Sequence, residues 1–558
     1  MTTATTDNPR AGRREWIGLT VLALACLLYV MDLTVLHLAV PAISADLQPS
    51  STDLLWIIDI YGFMVAGFLI TMGTLGDRIG RRRLLLIGAG AFGVLSIVAA
   101  FSTSPEMLIL SRAALGIAGA TLAPSTLSLI FSMFKDPGQR ARAIAVWISA
   151  FSAGSAIGPV LGGIVLEYFW WGAVFLLALP VMALLLILGP RVLPEYRDPD
   201  AGRLDLISAA MSLFTVLAVI FGLKQIAQDG IGPLAIGSVL LGLVVGVLFV
   251  RRQLVLADPM IDIRLFRIPS FSAALAVNFL AIFVAFGHSL FVAQYLQLVL
   301  GLSPLEAGVW SVPSAIGFIV GSQLAPRLVR VARPAYVMGI GLAVGAVGLG
   351  VLTQVGTSDG LAMVVGGSII ISLGLAPVFG LTTELIVGSA PPERAGSASG
   401  ISETGAELGG ALGIALLGSI GIAIYRGAVA DLPAEVPAQA AAIARDTLGG
   451  AVGVAAELPA EIAVTVLTIA RAAFVEGMQV AAAISAVMAV GVAILTVIML
   501  RDVRSGSPAE GIEAPNEAAQ PKHEQPHPEP HPSGAPSRSV IGDSHDRMAP
   551  AATDGEVA

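Results

Sequence analysis

Apolar residues in this chain do not recur at every second or fourth position. They run continuously, in blocks of roughly 18–28 residues. Fourteen blocks lie near 16–38, 54–73, 83–101, 106–130, 141–165, 170–189, 205–224, 234–251, 271–299, 306–325, 336–354, 361–388, 397–425 and 475–500. Each is long enough to cross a hydrocarbon layer of about 30 Å as a helix. Unbroken apolarity predicts helices rather than the alternating strands of a barrel. The expected fold class is therefore an all-α polytopic membrane protein with fourteen spans.

The polar breaks between blocks set an orientation. Arginines cluster in alternate loops: Arg78, Arg81, Arg82 and Arg83 after span 2, and Arg191 and Arg197 after span 6. The opposite loops hold only Arg426, Arg445 and Arg471, all in or at the edge of one long loop at 427–474. Positive residues stay inside, so both termini are expected in the cytoplasm. The expected organisation is a cytoplasmic N-terminus (1–15), six spans (16–189), two linking spans (190–270), six more spans (271–500) and a disordered tail (501–558). The long loop is rich in Ala, Pro and Glu, and its stretch AELPAEIAVTVLTIARAAF suggests a helical hairpin on the outer surface. The first apolar block follows Arg13 and Arg14 and is too long for a cleavable signal.

Two halves of the chain repeat a pattern. Near residue 123 the order is AP, an apolar run, KDPGQRAR, then GSAIGPVLGG. Near residue 376 it is AP, an apolar run, PPERAG, then GAELGGALG. Gly154 and Gly158 in the first copy match Gly409 and Gly413 in the second. Paired bundles related by such a repeat are a transporter architecture, with substrate near the midplane between them.

Composition agrees with this pattern. Only 13% of the 558 residues are charged and 56% are hydrophobic, against about 25% charged in soluble domains. The net charge of −8 is uneven, because residues 505–558 contribute nine acids and three bases, leaving the spanning body near −2. The single cysteine, Cys26, excludes an internal disulfide. No paired catalytic motif, phosphate loop or metal-spaced cluster appears. His523, His527 and His531 in the tail are read as solvated. An enzyme, a cofactor, a metal and a nucleic-acid partner are therefore not expected.

The loop string GTLGDRIGRRR (73–83), containing Asp77, Arg78 and Arg81, resembles the signature loop of the major facilitator superfamily, and the likeness extends across residues 16–500. LILSRAALGIAGA (108–120) is similar to that superfamily's arginine-bearing span, and the resemblance gives Arg112 a role in proton transfer. GSAIGPVLGG (154–163) is similar to the antiporter signature. Gly154, Gly158 and Gly162 form a smooth face for close packing, and Pro159 bends the helix. MDLTVLHLAVP (31–41) resembles the fourteen-span drug–proton antiporters, with His37 where relatives usually carry asparagine. The resemblance implies two six-helix bundles plus two extra spans, and export of lipophilic, often cationic compounds in exchange for protons. It implies a plasma-membrane setting in which one chain suffices.

The intramembrane acids are the candidate chemistry. A carboxylate near the bilayer centre costs roughly 2.5–3.5 kcal/mol on insertion scales. Glu403 and Glu407 are four residues apart and share one face of span 13. Asp32 is expected about 24 Å into span 1, in its outer third, and Asp59 about 8 Å from the outer end of span 2. Glu384 sits near the inner end of span 12. Low dielectric disfavours the charged forms, and two neighbouring carboxylates oppose each other's ionisation. Such a site can hold a proton or a cationic substrate but not both, which is the physical basis of antiport. Asn278, His288 and Gln294 in span 9, with His37, are candidate polar groups in the cavity. Asp32 is the first choice for the coupling proton and Glu407 the second. A dedicated exporter of one metabolite or antibiotic and a proton-coupled uptake symporter are the alternatives, and GSAIGPVLGG argues against the symporter.

Overall fold

The computed structural model describes residues 11–197, 205–256, 259–390, 395–430, 432–433 and 435–501. Thirteen helices among the described residues are long and apolar enough to span a membrane. Pro137–Tyr168, at 32 residues, supplies the fourteenth path. The spans are Arg13–Leu47, Ser51–Ile79, Arg81–Ala100, Pro105–Met133, Pro137–Tyr168, Ala173–Val192, Leu206–Asp229, Pro233–Val255, Pro269–Val299, Pro304–Leu328, Pro334–Leu352, Leu361–Gly388, Ala395–Ala428 and Ala460–Leu500. All fourteen apolar blocks are thus helical. The tail histidines and Arg394 lie outside the described residues.

Helix starts follow local chemistry. Ser104, Asp136 and Ser303 each accept a backbone N–H from the first turn, and a proline follows at the first helical position. Such caps satisfy otherwise orphaned donors, and proline has none to lose. Span 4 breaks at Ala120–Thr121. Pro124 explains the break, because its ring clashes with the carbonyl of Ala120 four residues back and it cannot donate to it. Span 9 ends in a π-helical turn, Tyr295–Val299.

Two boundaries differ from expectation. Span 1 continues past residue 38 to Leu47, so Asp32 lies near the middle of its helix rather than in the outer third. The hairpin expected in the outer loop is instead two short helices, Ala438–Asp446 and Leu448–Ala455, followed by one 41-residue helix. Extended Thr447 separates the short helices, and its Oγ1 caps the second. Pro459 starts the long helix and nothing breaks it afterwards, so it runs about 61 Å, twice the hydrocarbon thickness.

One apolar core is built from spans 1–6 and a second from spans 9–14. The repeat is visible in how each core packs. In the first, Gly154, Gly158 and Gly162 let span 5 lie on span 1: a Cβ would strike Leu27, Thr34 and Val35 respectively. In the second, Gly409 and Gly413 let span 13 lie on span 9 against Phe279 and Phe283. Leu27 and Met31 in one copy stand where Phe279 and Phe283 stand in the other, at the same four-residue step.

The two groups meet at the end that carries the turn between spans 1 and 2, the outer end on the orientation expected from the arginines. There Leu55 of span 2 touches Gly418 of span 13, and Gly308 of span 10 touches Pro159 of span 5. Gln297 donates to the Leu38 carbonyl at 3.0 Å. The outer-loop helices lie over the same end. Gly449 packs on Ser44, the Tyr425 hydroxyl donates to the Ala444 carbonyl at 2.7 Å, and Arg471 Nε donates to the Leu298 carbonyl at 3.0 Å. Side chains such as Leu110, Val94, Ile340 and Val487 are exposed and apolar, as a lipid-facing surface requires.

Candidate functional site

Arg112 and Asp32 form the centre of the first group. Arg112 is fully buried, and its Nη1 lies 2.6 Å from Asp32 Oδ2. Its Nε donates to the Ile57 carbonyl at 3.3 Å, and its guanidinium stacks 4.7 Å from the Tyr61 ring centroid. Arg112 of span 4 thus meets one group from span 1 and two from span 2. Burying this charge is tolerable because a carboxylate, a carbonyl and an aromatic face meet it together. Close approach is allowed by glycine: a Cβ at Gly116 would sit 2.6 Å from the Tyr61 carbonyl.

Glu407 faces this centre from the second group. Tyr29 of span 1 donates its hydroxyl to Glu407 Oε1 at 2.5 Å. The Tyr29 and Tyr61 rings are 6.2 Å apart. Asp32, Arg112, Tyr61, Tyr29 and Glu407 therefore form one contiguous path that joins spans 1, 4 and 2 to span 13. Glu403 is one turn nearer the start of span 13, and both glutamates are half-buried. The Tyr61 hydroxyl is buried without a hydrogen-bond partner among the described residues.

Asp59 lies apart from this path. Lys224 of span 7 places its ammonium 2.8 and 3.1 Å from the two carboxylate oxygens and 3.8 Å from the Trp56 ring centroid. Sequence reasoning passed over Lys224 because it closes the apolar block 205–224 and reads as a loop-end cation. Tyr29 was also missed, being one tyrosine in an apolar run. One signal was available for it: it stands three residues before Asp32, hence on the same helix face.

The other candidates take varied positions. Glu384 is exposed on span 12 and Arg78 is exposed on span 2. Asp77 binds Arg81 at 2.6 Å, and Arg81 also reaches the Pro124 carbonyl at 3.5 Å. The signature loop thus braces the kinked span 4. Asn278 accepts from Thr382 at 2.8 Å in a buried contact between spans 9 and 12. Gln294 is buried next to the π-helical turn. His37 is buried, and His288 lies half-buried with Nδ1 3.2 Å from the Val284 carbonyl.

The sequence matches the family model described as "Major Facilitator Superfamily" over residues 22–414. The chain belongs to this superfamily. It is 44% identical over 451 residues to "Multidrug efflux pump LfrA" of Mycolicibacterium smegmatis, covering 81% of this chain and 89% of that one. It is 35% identical over 448 residues to "Methyl viologen resistance protein SmvA" of Salmonella typhimurium, covering 79% and 89%. The fold is similar to that of a bacterial homologue of the human lysosomal transporter Spinster, in an inward-facing, unoccupied conformation. There the TM-score is 0.62 at 18% identity, over 88% of this chain and 98% of that one. The major facilitator chain is thus a multi-pass membrane transporter rather than an enzyme.

Proposed function

We propose that this major facilitator is a proton-driven antiporter that exports lipophilic, often cationic compounds by alternating access. The observation that carries the reading is the path from Asp32–Arg112 to Tyr29–Glu407. It sets an acid of the first group and an acid of the second on either side of one seam. A proton or an organic cation can neutralise these acids, but not both at once, so the two occupants compete. Names of the similar proteins, a multidrug efflux pump and a methyl viologen resistance protein, support such substrates.

In this reading the first and last six spans are two bundles that rock about the seam, spans 7 and 8 link them, and both termini are cytoplasmic. Asp32 carries the coupling proton, and Glu407 with Glu403 provides the substrate cation site. A single chain performs the cycle. With the contacted end taken as the outer one, this conformation is closed outward, and Glu403 and Glu407 meet substrate from the cytoplasm. The test is ethidium efflux from proteoliposomes under an imposed pH gradient, with and without a protonophore. Asp32→Asn and Glu407→Gln should each abolish gradient-driven movement. Full transport by both variants would defeat the reading.

A further inference from the structure

Lys224 is a charge at the end of the apolar run of span 7, and it is sealed in. Its side chain is 2% accessible, and that of Asp59 is 0%. Trp56 and Asp59 stand three residues apart on span 2, so one face of that helix offers the ammonium both an aromatic ring and a carboxylate. The rest of span 7 is held differently. Phe63 of span 2, Ile220 of span 7, and Ala411 and Ala415 of span 13 form one small apolar cluster. Span 7 therefore straddles the seam at which Gly62 meets Ala411. A helix lying over a seam between two rocking bundles must follow one of them. Apolar contacts to either side can slide and re-form at little cost. An ion pair in a dry site cannot, because separating it strands two uncompensated charges. That pair joins span 7 to span 2 alone.

We propose that Lys224 is a positioning residue. Its pair with Asp59 fixes span 7 to span 2, so that span 7 travels with the first six spans as the seam opens. Asp59 serves within the pair and does not carry the coupling proton. The inference rests on the alternating-access exporter argued above, and it assigns the linking spans a share in its cycle.

A cross-link tests the motion directly. A Cβ at Gly67 would lie 3.5 Å from Leu213 Cβ, within the reach of a disulfide. In a Cys26→Ser background, Gly67→Cys with Leu213→Cys should cross-link span 2 to span 7 on oxidation. Proton-driven ethidium efflux should then stay within about twofold of the reduced protein, because helices that move together lose nothing when tied. Efflux that stops on oxidation and returns with dithiothreitol would overturn the proposal.

A variant cycle tests the pair itself. Lys224→Met and Asp59→Leu alone should each cut efflux about tenfold or more and lower the melting temperature, since each leaves a buried charge unpaired. The double variant, apolar on both sides, should recover to within about threefold of the wild type. Lys224→Arg should retain transport. A double variant that regains the wild-type melting temperature and binds ethidium, yet does not transport, shows that Asp59 is needed as an acid and sinks the idea. Should the wild type itself show no proton-driven efflux, the functional reading fails instead, and the melting temperatures of the cycle still report the tether.

Discussion

Tyr29 donates its hydroxyl to Glu407 at 2.5 Å, and this hydrogen bond crosses from span 1 to span 13. A phenol is a donor that does not compete as a cation. It holds the carboxylate in place, yet leaves its second oxygen for a proton or a substrate. Tyr29→Phe keeps the ring and removes that bond. A hydrogen bond to a charged acceptor contributes about 1.5–3 kcal/mol, so initial rates of ethidium efflux should fall roughly tenfold or more. The Tyr29–Tyr61 ring contact and the folded yield should be kept. An unchanged rate would remove Tyr29 from the transport path.

The Asp32–Arg112 pair separates chemistry from folding. Asp32→Asn leaves an amide oxygen for the guanidinium and leaves the Ile57 carbonyl and Tyr61 ring untouched. The Arg112 charge loses its counter-charge but keeps these three acceptors, so that variant should insert and melt only modestly below the wild type while gradient-driven efflux is lost. Arg112→Met strands the carboxylate in the interior instead. Breaking a buried pair from one side costs about 3–5 kcal/mol, so detergent-solubilised yield and melting temperature should drop sharply. Equal melting behaviour in the two variants would contradict the assignment.

Much of this was legible in the sequence, for physical reasons. Lipid offers no hydrogen bonds, so spans must be continuous apolar helices, and all fourteen blocks could be marked. The glycines at 154, 158, 409 and 413 exposed the repeat because close helix packing needs small residues at fixed spacing. What stayed hidden was partnership. Asp59 looked like one more free intramembrane acid, because its partner Lys224 is 165 positions away in the chain. The length of span 1 was underestimated because Pro41 and Asp46 look like a helix end. Pro41 is tolerated inside the helix Arg13–Leu47, and the Trp171 indole donates to the Asp46 carboxylate at 2.6 Å.

The two glycine faces predict costs graded by what each Cβ would meet. A Cβ at Gly158 would strike Met31 and Thr34, and one at Gly409 would lie 2.7 Å from the Phe279 carbonyl. Backbone cannot step aside as a side-chain tip can. Gly409→Ala should therefore cost about 1–3 kcal/mol by overpacking, and Gly158→Ala somewhat less. Gly237 on span 8 has open space around its would-be Cβ. Gly237→Ala should be neutral or slightly stabilising, since alanine favours helix by up to about 1 kcal/mol. Thermal unfolding of the three variants in one detergent checks the order.

The turn between spans 2 and 3 is strained in a way only glycine accepts. Gly80 has φ +111° and ψ +130°, a region from which an L side chain is largely excluded. A Cβ there would also press on the carboxylate of Glu195, which accepts from the Arg82 amide at 3.1 Å and ties the end of span 6 to this loop. Gly80→Ala should destabilise by about 1–3 kcal/mol. Two causes compete, and a second substitution separates them. Glu195→Ala removes the clash but not the backbone strain. If the strain dominates, as expected for a glutamate that can swing aside, Gly80→Ala/Glu195→Ala should melt no higher than Gly80→Ala alone. Full recovery would show instead that the collision with Glu195 sets the cost.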